Sequence, residues 1–284
     1  MEAHPTWNEY LAKTWKKYLP PIRPAPEELA IFGRLLEREL QNKRSNITVL
    51  ILGSTPELRD LVLSHHLVPT VVDYSEANYL ALTTLMAQRG KEHFVNQNWP
   101  NMEIGETFDV ILSEAASTVV SCKMNDRFFE RMHAHLKPDG VMLAKTWVRP
   151  NNQRPDMIAL IADYRERLSH KDFYSAICLP LFVHFYDYEK EVVAVRYMSA
   201  QMKDLHDRGV ITDSEWETIH RHEYKKVTLE LYIPYIDDIR TLMSKHFYIE
   251  DIIPAGFDYS EYHPIFVLRP RPNQTSDCRS IRIT

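Results

Sequence analysis

Ile47-Thr48-Val49-Leu50-Ile51-Leu52-Gly53-Ser54-Thr55-Pro56-Glu57, followed by Pro69-Thr70-Val71-Val72-Asp73, is the stretch on which the architecture turns. The first run is apolar, rich in β-branched residues, and stops at a glycine. That pattern belongs to a strand buried on both faces. Pro56 suits the first turn of a helix capped by Ser54 or Thr55, a helix that runs to about His65. The second run ends in an acid, 20 residues after the glycine. Glycine is scarce here, seven in 284 residues, so one at a strand end carries weight. In nucleotide-binding βαβ units such a glycine lets a ligand approach the backbone, the helix N-terminus offers free amides, and the acid accepts hydrogen bonds from a ribose. Read structurally instead, Gly53 is a turn with positive φ and Asp73 caps the helix that begins at Glu76.

The alternation continues downstream. Glu76 to Arg89 reads as a helix closed near Gly90, and Phe94 to Gln97 as a third strand. Phe108 to Ser113 is a fourth, Arg127 to Leu136 a helix, Lys137-Pro138-Asp139-Gly140 a turn and Val141 to Trp147 a fifth strand. Strands alternating with helices predict an α/β, doubly wound parallel sheet whose ligands sit at the carboxyl ends of the strands. Four units follow from the pattern: an N-terminal helical cover over 1–45, the sheet domain over 46–148 and 227–270, a helical cap insertion over 149–226, and a flexible tail over 271–284. Within the cover, Trp7, Tyr10, Trp15 and Tyr18 share one helical face, and Pro26 to Asn42 is a second, amphipathic helix. The face with the four aromatics either packs on the main domain or covers a ligand.

Composition narrows the function classes. Hydrophobic residues make up 44% and charged residues 26%, the balance of a chain with a packed core. A formal net charge of −5 disfavours a nucleic-acid partner, whose domains are usually basic. Three cysteines far apart, with no C-x-x-C pair, point to a reducing compartment and away from a zinc site. No signal pattern and no apolar run of about 20 residues is present, so the expectation is a cytoplasmic protein with no membrane partner.

Which nucleotide the unit serves depends on the loop. A dinucleotide site shows G-x-G-x-x-G, whereas Gly53-Ser54-Thr55-Pro56-Glu57 has one glycine. The linker of S-adenosylmethionine carries no phosphate, and its sulfonium tolerates an acid such as Glu57. From Val49 to Val148 the chain resembles the class I S-adenosylmethionine-dependent methyltransferases. Leu50 to Glu57 resembles a divergent form of their first motif, Val71-Val72-Asp73-Tyr74-Ser75 the strand-2 motif, and Gln97-Asn98-Trp99 the adenine-holding segment after strand 3. Phe108 to Glu114 resembles the strand-4 motif and Leu136 to Val141 the turn before strand 5. Residues 235–268 resemble the family's last helix and its antiparallel strands 6 and 7. The resemblance implies a Rossmann-like seven-stranded sheet, S-adenosylmethionine as cofactor, and cofactor contacts from Gly53, Ser54, Thr55, Glu57, Asp73, Tyr74, Asn98 and Trp99. Two departures stand out: the glycine-rich loop is reduced to Gly53, and Asn98 replaces the usual acid.

Candidate chemistry gathers at two further residues. Glu114, just past strand 4, either orients or deprotonates an acceptor or caps the next helix. His184, within Phe182-Val183-His184-Phe185-Tyr186, is either a general base or a hydrogen-bonded core histidine. Tyr10, Tyr18, Phe182 and Tyr186 are the expected lining of an acceptor pocket between the cover and the insertion. The expected reaction is methyl transfer to nitrogen or oxygen of a small molecule. A non-catalytic binding module and a nicotinamide-dependent oxidoreductase are the alternatives. The histidine pairs His65-His66, His133 with His135 and His220 with His222 lack the H-E-x-x-H form and cysteine partners, so no metal site is expected.

Overall fold

A computed structural model describes residues 15–43, 47–221 and 229–272. Helix α1 (Pro26–Lys43) leads into β1 (Val49–Leu52), α2 (Pro56–Ser64), β2 (Thr70–Asp73), α3 (Glu76–Thr83) and β3 (His93–Asn96). Then come β4 (Phe108–Glu114), a single short turn of helix α4 (Ala116–Val119), α5 (Cys122–Ala134) and β5 (Leu136–Lys145). Helices α6 (Met157–Asp163), α7 (Phe173–His184), α8 (Val195–Asp207) and α9 (Asp213–His220) follow, with the short strands β6 (Val193–Ala194) and β7 (Glu230–Leu231). The chain closes with α10 (Ile236–Met243), β8 (Phe247–Ile253) and β9 (Ile265–Pro270).

The sheet has seven strands in the order β3-β2-β1-β4-β5-β9-β8. The first five run parallel, and β9 is antiparallel to both β5 and β8. Each central strand buries both faces. Leu50 and Leu52 point into one layer with Phe128, Phe129, Met132, Ile239 and Met243 of α5 and α10. Val49 and Ile51 point into the other with Phe32, Leu36, Leu58 and Val62 of α1 and α2. This two-sided burial is why the run from Val49 to Leu52 lacks polar alternation. A third core joins α6 to α9 with Trp15, Tyr18, Leu82, Ala115 and Trp147, at the carboxyl ends of the strands.

Several boundaries differ from the sequence expectation. Lys137 to Gly140 is not a free turn but part of β5: Phe108 pairs with Leu136 and Val110 with Val141, so the extra residues bulge out of a continuous strand. Lys137 is held there by Asp109, at 2.8 Å. Helix α3 stops at Thr83, short of Arg89, and α5 begins at Cys122 rather than Arg127. Most of the aromatic and apolar run over 176–188 lies in α7. Neither Ser54 nor Thr55 caps α2 by its side chain; the Ser54 hydroxyl goes elsewhere. Asp73 does not cap α3, because Ser75 takes that position and accepts from the Asn78 amide. Trp7, Tyr10 and almost all of the expected tail lie outside the described residues.

Candidate active site

The carboxyl ends of β1, β2, β4 and β5 converge, and the expected residues divide there into two groups. Gly53 follows β1 with φ +86°, a conformation that side chains other than glycine rarely adopt. Its amide and the Trp99 indole Nε1 both donate to the Val72 carbonyl, each at 2.8 Å. The indole lies 3.5 Å from where a Cβ on Gly53 would stand. Trp99 thus fixes the turn and forms its floor, while Asn98 beside it is exposed. Ser54 Oγ donates to Asp73 Oδ2 at 2.7 Å, and the Ser75 amide donates to Asp73 Oδ1 at 3.0 Å. Burial pushes the Asp73 carboxyl above its ordinary range, against these hydrogen bonds. The Ser54 and Tyr74 backbone amides also act on the Asp73 carboxylate. Thr55 is buried and Tyr74 half-buried.

Glu57, in the first turn of α2, binds the segment that precedes α1. Its Oε1 accepts from Trp15 Nε1 at 3.2 Å and Arg23 Nε at 2.9 Å, and Arg23 Nη2 bonds to it as well. Its Oε2 is buried and has no hydrogen-bond partner among the described residues. Asn78 Oδ1 on α3 is in the same state.

The second group is a chain of buried charges. Glu114 ends β4 and stands beside Lys145, which ends β5. Lys145 Nζ lies 3.0 Å from Glu114 Oε1 and 2.9 Å from Glu28 Oε1, and donates to the Pro21 carbonyl at 2.9 Å. Glu28 Oε1 in turn accepts from His263 Nδ1 at 2.8 Å. Lys145 and Glu28 are wholly buried. Burial works to raise the Glu28 carboxyl, but Lys145 and His263 overcome it and hold Glu28 below the usual range. Burial lifts Glu114 above that range, more than Lys145 lowers it. Burial would lower Lys145, yet the two carboxylates keep it raised and charged. One cation therefore serves two carboxylates, and Glu114 is the one that takes up a proton most readily. A helix cap is not its role: Ala115, with φ 54°, occupies the cap position of α4, and the Glu114 carboxyl turns to Lys145. A left-handed alanine costs on the order of 1 kcal/mol and recurs where a strand end is held for a purpose.

The aromatic residues of the expected acceptor pocket lie in the third core. Tyr18 and Phe182 are buried there with Tyr186. Phe182 stacks on Trp147 with ring centroids 5.6 Å apart. Trp147 follows β5, and its indole Nε1 is buried without a partner among the described residues. His184 ends α7 half-buried; its Nδ1 donates to the Pro155 carbonyl at 2.7 Å, which leaves Nε2 as the acceptor nitrogen. The sequence reading missed Lys145, Glu28 and His263. A lysine closing the apolar run Val141-Met142-Leu143-Ala144 was the available signal, because a buried strand admits a charge only when it is paired.

No protein-family model matches the chain, and no curated protein matches its sequence. Its likeness to known proteins lies in the fold. An S-adenosylmethionine-dependent methyltransferase from Clostridium acetobutylicum ATCC 824 matches with a TM-score of 0.55 and 11% identity, over 92% of this chain and 98% of that one. The N-methyltransferase NodS from Bradyrhizobium japonicum WM9, in complex with S-adenosyl-L-homocysteine, matches with 0.50 and 10%, over 93% and 100%. A chain from Rhodobacter sphaeroides, provisionally named among Zn-dependent alcohol dehydrogenases, matches with 0.55 and 17%, over 94% and 100%. Identities this low carry the architecture alone. In the described residues no helix is long and apolar enough to cross a membrane. Strand order, parallel and antiparallel pairings, and the two methyltransferase neighbours agree: the chain has the class I S-adenosylmethionine-dependent methyltransferase fold.

Proposed function

We propose that this protein transfers a methyl group from S-adenosylmethionine to a nitrogen or oxygen atom of a small molecule. The observation that carries the reading is the Gly53–Ser54–Asp73 arrangement at the ends of β1 and β2. A buried carboxylate at the end of β2 stands beside a turn that needs glycine. Asp73 would accept the ribose hydroxyls, Gly53, Ser54 and Thr55 would border the cofactor's amino-acid end, and Tyr74, Asn98 and Trp99 would border the adenine. The orphaned oxygens of Glu57 and Asn78 are acceptors only, which suits a ligand rich in donors and positive charge. When bound, the cofactor supplies an electrophilic methyl on a sulfonium.

The chain's own residues would position, desolvate and deprotonate. Glu114 receives the proton that a nitrogen or oxygen nucleophile loses, and its raised affinity for a proton fits that task. Lys145, held by Glu28, fixes the Glu114 carboxyl in place and limits the charge that remains. Residues 15–25 and the helices of 149–226, with Tyr18, Phe182 and Tyr186, exclude water from the strand ends. His184 keeps one acceptor nitrogen and is the second candidate base.

Asp73→Ala tests the site. The variant should bind S-adenosylhomocysteine about 1.5–3 kcal/mol more weakly, the range for hydrogen bonds to a charged group. Unchanged calorimetric affinity in a folded variant would remove Asp73 from the site.

A further inference from the structure

Among the described residues, the buried lysine and arginine side chains are ion-paired, with one exception. Arg59 is held by Glu92, and Lys145 by Glu28 and Glu114. Arg149, four residues beyond Lys145, is only 8% exposed and forms no ion pair with any described residue. Its Nε donates to the Ile233 carbonyl at 3.0 Å, and its backbone amide donates to the Pro234 carbonyl at 2.8 Å. The remaining guanidinium donors have no hydrogen bond to a described residue. The group packs instead against two rings that meet edge to face, 4.9 Å from the centroid of Tyr186 and 4.7 Å from that of Tyr188. Arg154 lies 5.0 Å from the Tyr188 ring, also without an ion pair among the described residues. Its Nη2 donates to the Tyr186 carbonyl at 3.1 Å. Tyr186 itself is 2% exposed, and its hydroxyl has no hydrogen-bond partner among the described residues.

Arg149 and Arg154 therefore both lie against the Tyr188 ring, Arg149 buried and Arg154 exposed, and Arg149 also lies against Tyr186. Beyond the Ile233 and Tyr186 carbonyls these groups are donors without a hydrogen-bonded acceptor among the described residues, and the exposed Glu191 carboxylate reaches the Tyr186 phenol by its charge. Burial raises the Tyr186 phenol above its ordinary value, so it remains a donor at neutral pH. An unpaired buried cation is costly unless a ligand completes it, and the planar fork of arginine matches carboxylate and phosphate oxygens.

We propose that Arg149, Arg154 and the Tyr186 hydroxyl form a binding site for an anionic group, a carboxylate or a phosphate, on the molecule that accepts the methyl group. The proposal rests on the reading of the strand ends as a methyl-transfer site. Four residues of chain span at most about 14 Å, so the Arg149 backbone lies within that distance of Lys145. A small acceptor can then turn its nucleophilic atom toward Glu114 and its anionic end toward Arg149.

The test is calorimetric titration of the full chain, saturated with S-adenosylhomocysteine, with inorganic phosphate in one arm and benzoate in the other. The expected result is saturable binding in at least one arm, and the arm that binds identifies the anion. Arg149→Met should weaken that binding at least tenfold, Arg149→Lys less, and Tyr186→Phe about threefold with both rings kept. Binding in neither arm, or equal affinity in Arg149→Met and wild type, overturns the proposal. If Arg149→Met does not fold, Tyr186→Phe decides it, and unchanged affinity there overturns it. S-adenosylhomocysteine is titrated alone into each protein. If it fails to bind wild type, the methyl-transfer reading falls, and the anion titration is still read without it. If it binds wild type and no anion follows, only the anion site falls.

Discussion

Glu114 and Lys145 give the residue scale its sharpest consequences. The folded protein holds the Glu114 proton more tightly than the unfolded chain does. Stability therefore falls as pH rises from the ordinary carboxylate range through the raised folded value. Glu114→Gln removes that term and can still accept from Lys145. Its denaturation midpoint should fall less than that of wild type between pH 4.5 and 7.5; an equal or steeper fall would contradict the burial argument. Lys145→Met has the opposite character, because it leaves Glu28 and Glu114 buried with no ammonium. The loss should be about 3–5 kcal/mol, the cost of breaking a buried pair from one side, and chemical denaturation at pH 7 reads it. These residues also show where sequence reading stops. Gly53 and Asp73 were legible because each closes a strand whose pattern is local. Lys145 meets Glu28 across 117 positions, and His263 meets Glu28 across 235. No spacing rule joins residues that only the packed sheet brings together.

The elements were legible to the extent that one run of residues determines them. β1, β2 and β4 are apolar on both faces and bounded by turn residues, so their placement needed no tertiary information. Only the start of β5 escaped, because Lys137-Pro138-Asp139-Gly140 has the composition of a turn. Its course is set by Asp109 across the sheet. That carboxylate is bound by Lys137 and Lys43, accepts from the Thr48 amide at 2.8 Å, and so ties α1, β1, β4 and β5 together. Burial acts to raise Asp109, but Lys137, Thr48 and Lys43 hold it far below the carboxylate range. Asp109→Asn should cost about 2 kcal/mol, as for lost hydrogen bonds to a charged group. A carboxyl with a lowered folded pKa stabilises above its unfolded value and loses that contribution as pH falls. The difference from wild type should hold from pH 5 to 8 and shrink below about pH 4. Urea denaturation across that range measures it, and a difference independent of pH would contradict the account.

At the scale of the whole molecule, sheet, cover and insertion meet in one place. Trp15 and Tyr18 from the cover, Ala115 and Trp147 from the strand ends, and the helices of 149–226 share one core. Polar ties fasten the segment before α1, Arg23 and Trp15 to Glu57 and the Pro21 carbonyl to Lys145, and Glu28 and Lys43 of α1 add ion pairs to Lys145 and Asp109. The cover is therefore bound to the same residues that would meet cofactor and acceptor, and a ligand reaching Asp73 must be accommodated beneath it. The measurement that bears most directly on this account is calorimetric titration of the intact protein with S-adenosylmethionine, S-adenosylhomocysteine and NAD in parallel. Micromolar binding of the first two, with no heat from NAD, is the predicted result. Binding of NAD alone, or of none of the three, would contradict it.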